Sequence, residues 1–172
     1  MTVFLALILL VLPTQETEML SKARKLFFEF DQPGCVSEKL FEMLHQTAEK
    51  SDVLLAYQGA AEASSADCAT FPFAKLKRFN QGKSKLERAV KNDPSNAEIR
   101  FLRFSIQSKA PGFLNYTDAV NQDFDLILSS LADNDDIWQD EVFKNNVIRF
   151  LLAYSGTTDE QADLLRKMLN DK

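Results

Sequence analysis

Histidine is nearly absent from this chain: His45 is the only one in 172 residues, and cysteine occurs just twice. That scarcity excludes most zinc sites, which draw on several His and Cys ligands, and any Ser-His-Asp arrangement with a histidine to spare. Glycine and proline are also few, five of each, which argues against a loop-rich β protein. The glycines stand apart from one another, so no G-x-G-x-x-G, G-x-S-x-G or phosphate-cradling loop occurs. Nor is there an excess of positive charge. The 20 Lys+Arg face 25 Asp+Glu, a formal charge of −5, and nucleic acid is not expected as a partner. No motif implies a cofactor or an enzyme.

No apolar run reaches the roughly 20 residues that a membrane span needs. The longest, residues 3–12 (VFLALILLVL), holds ten and is ended by Pro13. Ten residues fit the apolar core of a secretory signal peptide, with a leader over residues 1–14 and one mature domain over 15–172. This reading makes the protein exported, periplasmic or secreted, and not transmembrane once the leader is removed. The competing reading is a buried first helix of a cytoplasmic protein. The all-round apolarity of the run disfavours it, because a surface helix carries a polar face. Cys35 and Cys68 follow the same choice: outside the cytoplasm they can form a disulfide, inside it they would be two buried thiols. They do not form a C-x-x-C, so redox catalysis is not expected.

What the chain does have is a core. Hydrophobic residues make up 45% and charged ones 26%, a folded-domain balance, and 14 Phe supply most of the aromatic material. Leu20, Ala23, Leu26, Phe27 and Phe30 recur at helical spacing up to the stop at Asp31-Gln32-Pro33-Gly34. Ser37 is a candidate cap for a second helix with Leu40, Phe41, Leu44 and Ala48 on one stripe. Ser51 or Asp52 can cap a third, and Asn96 a fifth, after a fourth that ends at Asn92-Asp93-Pro94. Asp118 would open a sixth helix, and Asp135 or Asp136 a seventh over 137–154. Thr158 with Gln161 makes a capping box for the last. Period-2 alternation is sustained nowhere. The expected fold is all-α: stacked antiparallel helical hairpins forming a bundle of seven to eight helices.

Gly82, Leu86, Ala89, Val90, Pro94 and Asn96 stand at the spacings of the second helix of a tetratricopeptide repeat, and Leu55-x3-Gly59 resembles its first helix. The resemblance covers residues 52–108. It implies one degenerate repeat, because Gly59 and Gly82 lie 82 − 59 = 23 residues apart where the repeat expects about 12. The insertion at 64–74 must lengthen both helices or add a loop. The segments AYQGAAEA, FNQGK, DPSNAEIRFLRFSIQ and APGFLNY together are also similar to an uncharacterised group of small exported bacterial proteins, which brings no activity with it.

Repeat geometry would place Val53, Ala56, Ala60 and Ala63, then Glu98, Phe101, Ser105 and Lys109, on a concave face. Arg100, Arg103 and Gln107 offer a basic-polar surface suited to a carboxylate, beside Phe113 and Tyr116 in a loop that either plugs the core or forms a binding lip. Charge is uneven along the chain. Residues 71–103 hold nine Lys/Arg and three Asp/Glu, 9 − 3 = +6, while 118–141 hold eight Asp/Glu and no Lys/Arg, 0 − 8 = −8. Either the two stretches neutralise each other internally or each steers an oppositely charged partner. The expected function is a binding or scaffolding module for a protein or peptide partner. The alternative is a small-ligand protein with a pocket among the phenylalanines. Oligomeric state is not legible.

Overall fold

The structure, a computed structural model, describes residues 4–46 and 51–170, with side chains from Glu16 onward. The described chain is helical, without strands: α1 Phe4–Phe27, α2 Val36–His45, α3 Asp52–Ser64, α4 Pro72–Asn92, α5 Ala97–Lys109, α6 Val120–Asp133, α7 Glu141–Ala153 and α8 Asp159–Asn170. The leader expected over residues 1–14 lies outside the described side chains, as Ala48 lies outside the described residues. No helix among the described residues is long and apolar enough to cross a membrane.

Local chemistry explains several helix starts. The Ser51 hydroxyl accepts from the Leu54 N–H at 3.5 Å, and Asn96 Oδ1 accepts from the Glu98 and Ile99 N–H groups at 3.1 and 3.2 Å. Thr158 and Gln161 bond reciprocally, at 2.9 and 3.3 Å, as a capping box does. Each such cap stabilises its helix by about 1 kcal/mol.

Three starts differ from expectation. Cys35, at φ 53, occupies the position before α2, and Ser37 is instead buried in the first turn with its Oγ 3.9 Å from Cys68 Sγ. Asp118 does not cap α6, which begins after Ala119 without a side-chain cap. The seventh helix is divided: a 3-10 turn, Asp136–Gln139, precedes α7, which Asp140 caps through the Phe143 N–H at 3.0 Å. The cause is Trp138. Its indole N–H donates to Ser130 Oγ at 3.0 Å, Ser130 donates to Asp135, and the buried ring stacks on Phe143 at 5.7 Å. Holding that ring against α6 turns the chain before α7 can start.

The centre of the bundle is α3. Residues 54 to 63 are all buried, and α3 packs against α2, α4 and α5. Its closest neighbour is α4, and the reason is a glycine pair. A Cβ added at Gly59 would lie 2.8 Å from the Gly82 carbonyl oxygen, so the two backbones touch where no side chain fits. The insertion at 64–74 resolves into a 3-10 turn, Ser65–Cys68, and an α4 of 21 residues.

Candidate ligand-binding cavity

Two sites of different character flank α5. One face of this helix enters a buried polar seam. Arg103 forks onto Asp123 through Nε and Nη2, both at 2.7 Å, and Arg100 Nη1 reaches the same carboxylate at 2.8 Å. Asp123 is 0% exposed. Arg103 Nη1 also donates to Glu87 at 2.9 Å, and the Tyr116 hydroxyl donates to the other Glu87 oxygen at 2.6 Å. A second knot lies at the start of α5, where Arg24 forks onto Glu98 at 2.8 and 2.6 Å and the Tyr57 hydroxyl donates to Glu98 at 2.8 Å. Charge-assisted, two-pronged contacts of this kind are the strong ones.

Their electrostatics are those of locked architecture. Burial alone would lower the Arg24 and Arg103 pKa values, but hydrogen bonds and charge from Glu98 and Asp123, respectively, outweigh it and hold both guanidinium groups charged. Burial, reinforced by the neighbouring carboxylates Glu98 and Glu87, pushes the phenols of Tyr57 and Tyr116 well up. The basic-polar surface expected from Arg100, Arg103 and Gln107 is therefore not a free face. All three are buried, and the carboxylate that the arginines meet is the chain's own Asp123. Gln107 is 2% exposed, and its Oε1 has no hydrogen-bond partner. The +6 and −8 stretches thus meet partly inside the molecule.

Beyond the polar face of α5, Ser105, Ile106, Lys109 and Ala110 form one wall of a cavity of about 750 Å³. Phe27, Phe28 and Phe30, at the end of α1 and just beyond it, form the second wall. Ala63 and Ala66 with Pro72, Leu76 and Phe79 of α4 form the third. Phe150 and Leu114 contribute further apolar surface, and Phe113 stands at the mouth, 84% exposed. Four charged residues line this space, Asp31, Asp67, Lys75 and Lys109, and all are solvent-exposed, so charge is confined to the rim. Lys109 lies 3.4 Å from Asp31 and 5.4 Å from the Phe150 ring centre.

Cys35 and Cys68 are joined in a disulfide with their Cα atoms 6.0 Å apart. Both residues line the cavity. The bond ties the turn after α1 to the link between α3 and α4, two of the cavity's walls. It is the structural choice between the two states that the sequence leaves open.

The two aromatics of the 113–116 loop differ in burial. Tyr116 plugs the core, edge-on to Phe79 at 5.9 Å, whereas Phe113 stands exposed at the edge of the cavity. Of the expected concave face, Ala56, Ala60 and Phe101 are wholly buried, and Glu98 is tied to Arg24. Only Ala63, Ser105 and Lys109 open onto the cavity. The aromatic walls at residues 27–30, 79 and 150 come from three separate helices, and no local spacing connects them. His45 stacks on Phe41 at 5.4 Å, and no group of three His, Cys, Asp or Glu that could hold a metal occurs among the described residues.

The described residues form a helical bundle with an aromatic-lined cavity on one side of α5 and a largely buried ionic seam on the other. No family model, curated protein or solved structure matches the chain.

Proposed function

We propose that this protein is a non-enzymatic binding module that holds a small apolar or amphipathic molecule in the cavity between α1, α4 and α5. The observation that carries this reading is the cavity itself: about 750 Å³, aromatic within, with its charges on the rim. Small-molecule sites fall in the range of roughly 300–1,000 Å³, with mostly apolar walls and few polar groups. The hydroxyl in the α5 wall favours binding over chemistry, because Ser105 Oγ donates to its own helix at the Leu102 carbonyl, 2.7 Å away.

Peptide docking is the weaker reading. It needs Arg100, Arg103, Gln107, Phe113 and Tyr116 at the surface, and of these only Phe113 is exposed. The Cys35–Cys68 disulfide supports an exported location, since such bonds persist in oxidising compartments. The contact of Gly59 with Gly82, the stop at Pro94 and the start at Asn96 support reading residues 52–108 as one degenerate tetratricopeptide-like unit within the bundle.

The test is titration with N-phenyl-1-naphthylamine, a neutral probe that fluoresces in apolar surroundings. The expected result is saturable one-site enhancement that is weakened in Ala66→Trp, whose indole takes up part of the cavity, at unchanged helicity. Absence of enhancement in the unmodified protein, or full enhancement in Ala66→Trp, would overturn the reading.

A further inference from the structure

We infer that the cavity's ligand is an amphiphile with a zwitterionic head, its ammonium set against Asp67 and its acid group against Lys75. This rests on the reading of the cavity as a binding site, and it names the chemistry of what the site holds.

The cavity lining carries two acids, Asp31 and Asp67, and two lysines, Lys75 and Lys109, so its charges cancel. The four are not used alike. Asp31, beyond the end of α1, and Lys109, at the end of α5, close on each other at 3.4 Å. Asp67 lies in the 3-10 turn Ser65–Cys68, and Lys75 in the first turn of α4. Neither of these side chains makes an ion pair or a hydrogen bond among the described residues, although both line the same space. Ser64, three residues before Asp67 and also in the lining, keeps its hydroxyl unbonded as well. One part of the rim thus holds a closed ion pair. Another holds an open pair of opposite sign with a free hydroxyl beside it.

The interior fixes the other end of the ligand. The walls around Phe27, Phe79 and Phe150 are apolar, so the part of the molecule inside is apolar too. A charged group stays at the rim, because carrying it among the rings without a partner would cost its hydration. At the rim, the balance of charge selects the head. An anionic head gains at Lys75 and loses at Asp67, and a cationic head does the reverse. The two contributions nearly cancel, and the −5 charge of the chain adds nothing in favour of an anion. Only a head that carries both signs gains at both residues. Exposed charges contribute little one at a time, so the tail supplies most of the affinity and the head decides which amphiphile is preferred.

The test is displacement of N-phenyl-1-naphthylamine by amphiphiles that share a ten-carbon chain and differ in the head, each kept below its micelle-forming concentration. Decylphosphocholine and N-decyl-N,N-dimethylglycine are the zwitterions. Decanoate, decyltrimethylammonium and decyl maltoside supply the anionic, cationic and neutral heads. A zwitterion is expected to displace the probe at about fivefold lower concentration than any of these three, the combined effect of two exposed ion pairs. The stronger zwitterion names the acid group as phosphate or carboxylate. Charge reversal reads the two residues separately. Asp67→Lys should move the preference to decanoate, and Lys75→Glu should move it to decyltrimethylammonium, at unchanged helicity because both side chains are exposed. Equal displacement by every head would overturn the inference. So would a first rank for decanoate or decyltrimethylammonium in the unmodified chain, or a ranking that neither reversal moves. Failure of the cavity reading looks different: the probe then shows no saturable binding, or no amphiphile displaces it. Displacement that ignores the head removes the zwitterion and leaves the cavity.

Discussion

The polar and apolar sides of α5 make opposite use of similar material. Toward α4 and α6, Arg100 and Arg103 close on Asp123 and Glu87, and little hydrogen-bonding capacity is left over. Toward α1, Ile106, Lys109 and Ala110 face about 750 Å³ of space with aromatic walls. The charged side resembles a site by composition and is architecture by geometry. The greasy side resembles ordinary core and is where a ligand has room. Burial decides which groups are free, and a chain's charge pattern does not report burial.

The comparison is broken most severely by Asp123→Ala. Removing this carboxylate leaves two buried guanidinium groups facing each other, and such losses cost about 3–5 kcal/mol. Urea unfolding should show that loss. A loss below about 1 kcal/mol would mean that the seam is looser than its geometry. Reduction of the Cys35–Cys68 disulfide comes next. Freeing a link between residues 33 apart in sequence should cost about 3–4 kcal/mol in the chain-entropy picture. It should also weaken probe binding, because both cysteines line the cavity, whereas Asp123 variants that still fold should bind the probe normally.

Alkaline pH sharpens the contrast further. Tyr57 and Tyr116 have folded pKa values raised above the ordinary 10.0, so the unfolded chain releases these protons first. The stability they contribute is present below pH 10 and is lost as pH rises above it, by about 1.4 kcal/mol per pH unit for each phenol. Tyr57→Phe and Tyr116→Phe should each flatten that slope, as read by unfolding at pH 9 to 11. The smallest effect expected is a gain. Gln107 has a buried oxygen with no partner, and Gln107→Leu should raise stability by about 1 kcal/mol. A loss of that size would indicate that Gln107 serves an unseen polar contact.

Much of the helical order was legible because helix signals are local. The caps at Ser51, Asn96 and the Thr158–Gln161 box are each written within four residues. The Gly82–Asn96 pattern is local as well, within one helix and the turn after it, and its small residues admit the α3–α4 contact. Ser37 and the division before α7 were not legible, because each is decided by a distant partner: Cys68 for the turn at Cys35, and Ser130 for Trp138. The site was legible only in part. A pocket among the phenylalanines was foreseeable from their number, but its walls are brought together from α1, α4, α5 and α7. Arg100 and Arg103 misled for the same reason, since Asp123 lies 20 residues beyond Arg103 in the chain.

The most direct test of the central claim is backbone hydrogen–deuterium exchange with and without N-phenyl-1-naphthylamine. The cavity account predicts new protection at residues 28–34, 64–79 and 105–114, and none over α6. Protection confined to α6 and the facing turns of α4, with the cavity walls unchanged, would contradict it.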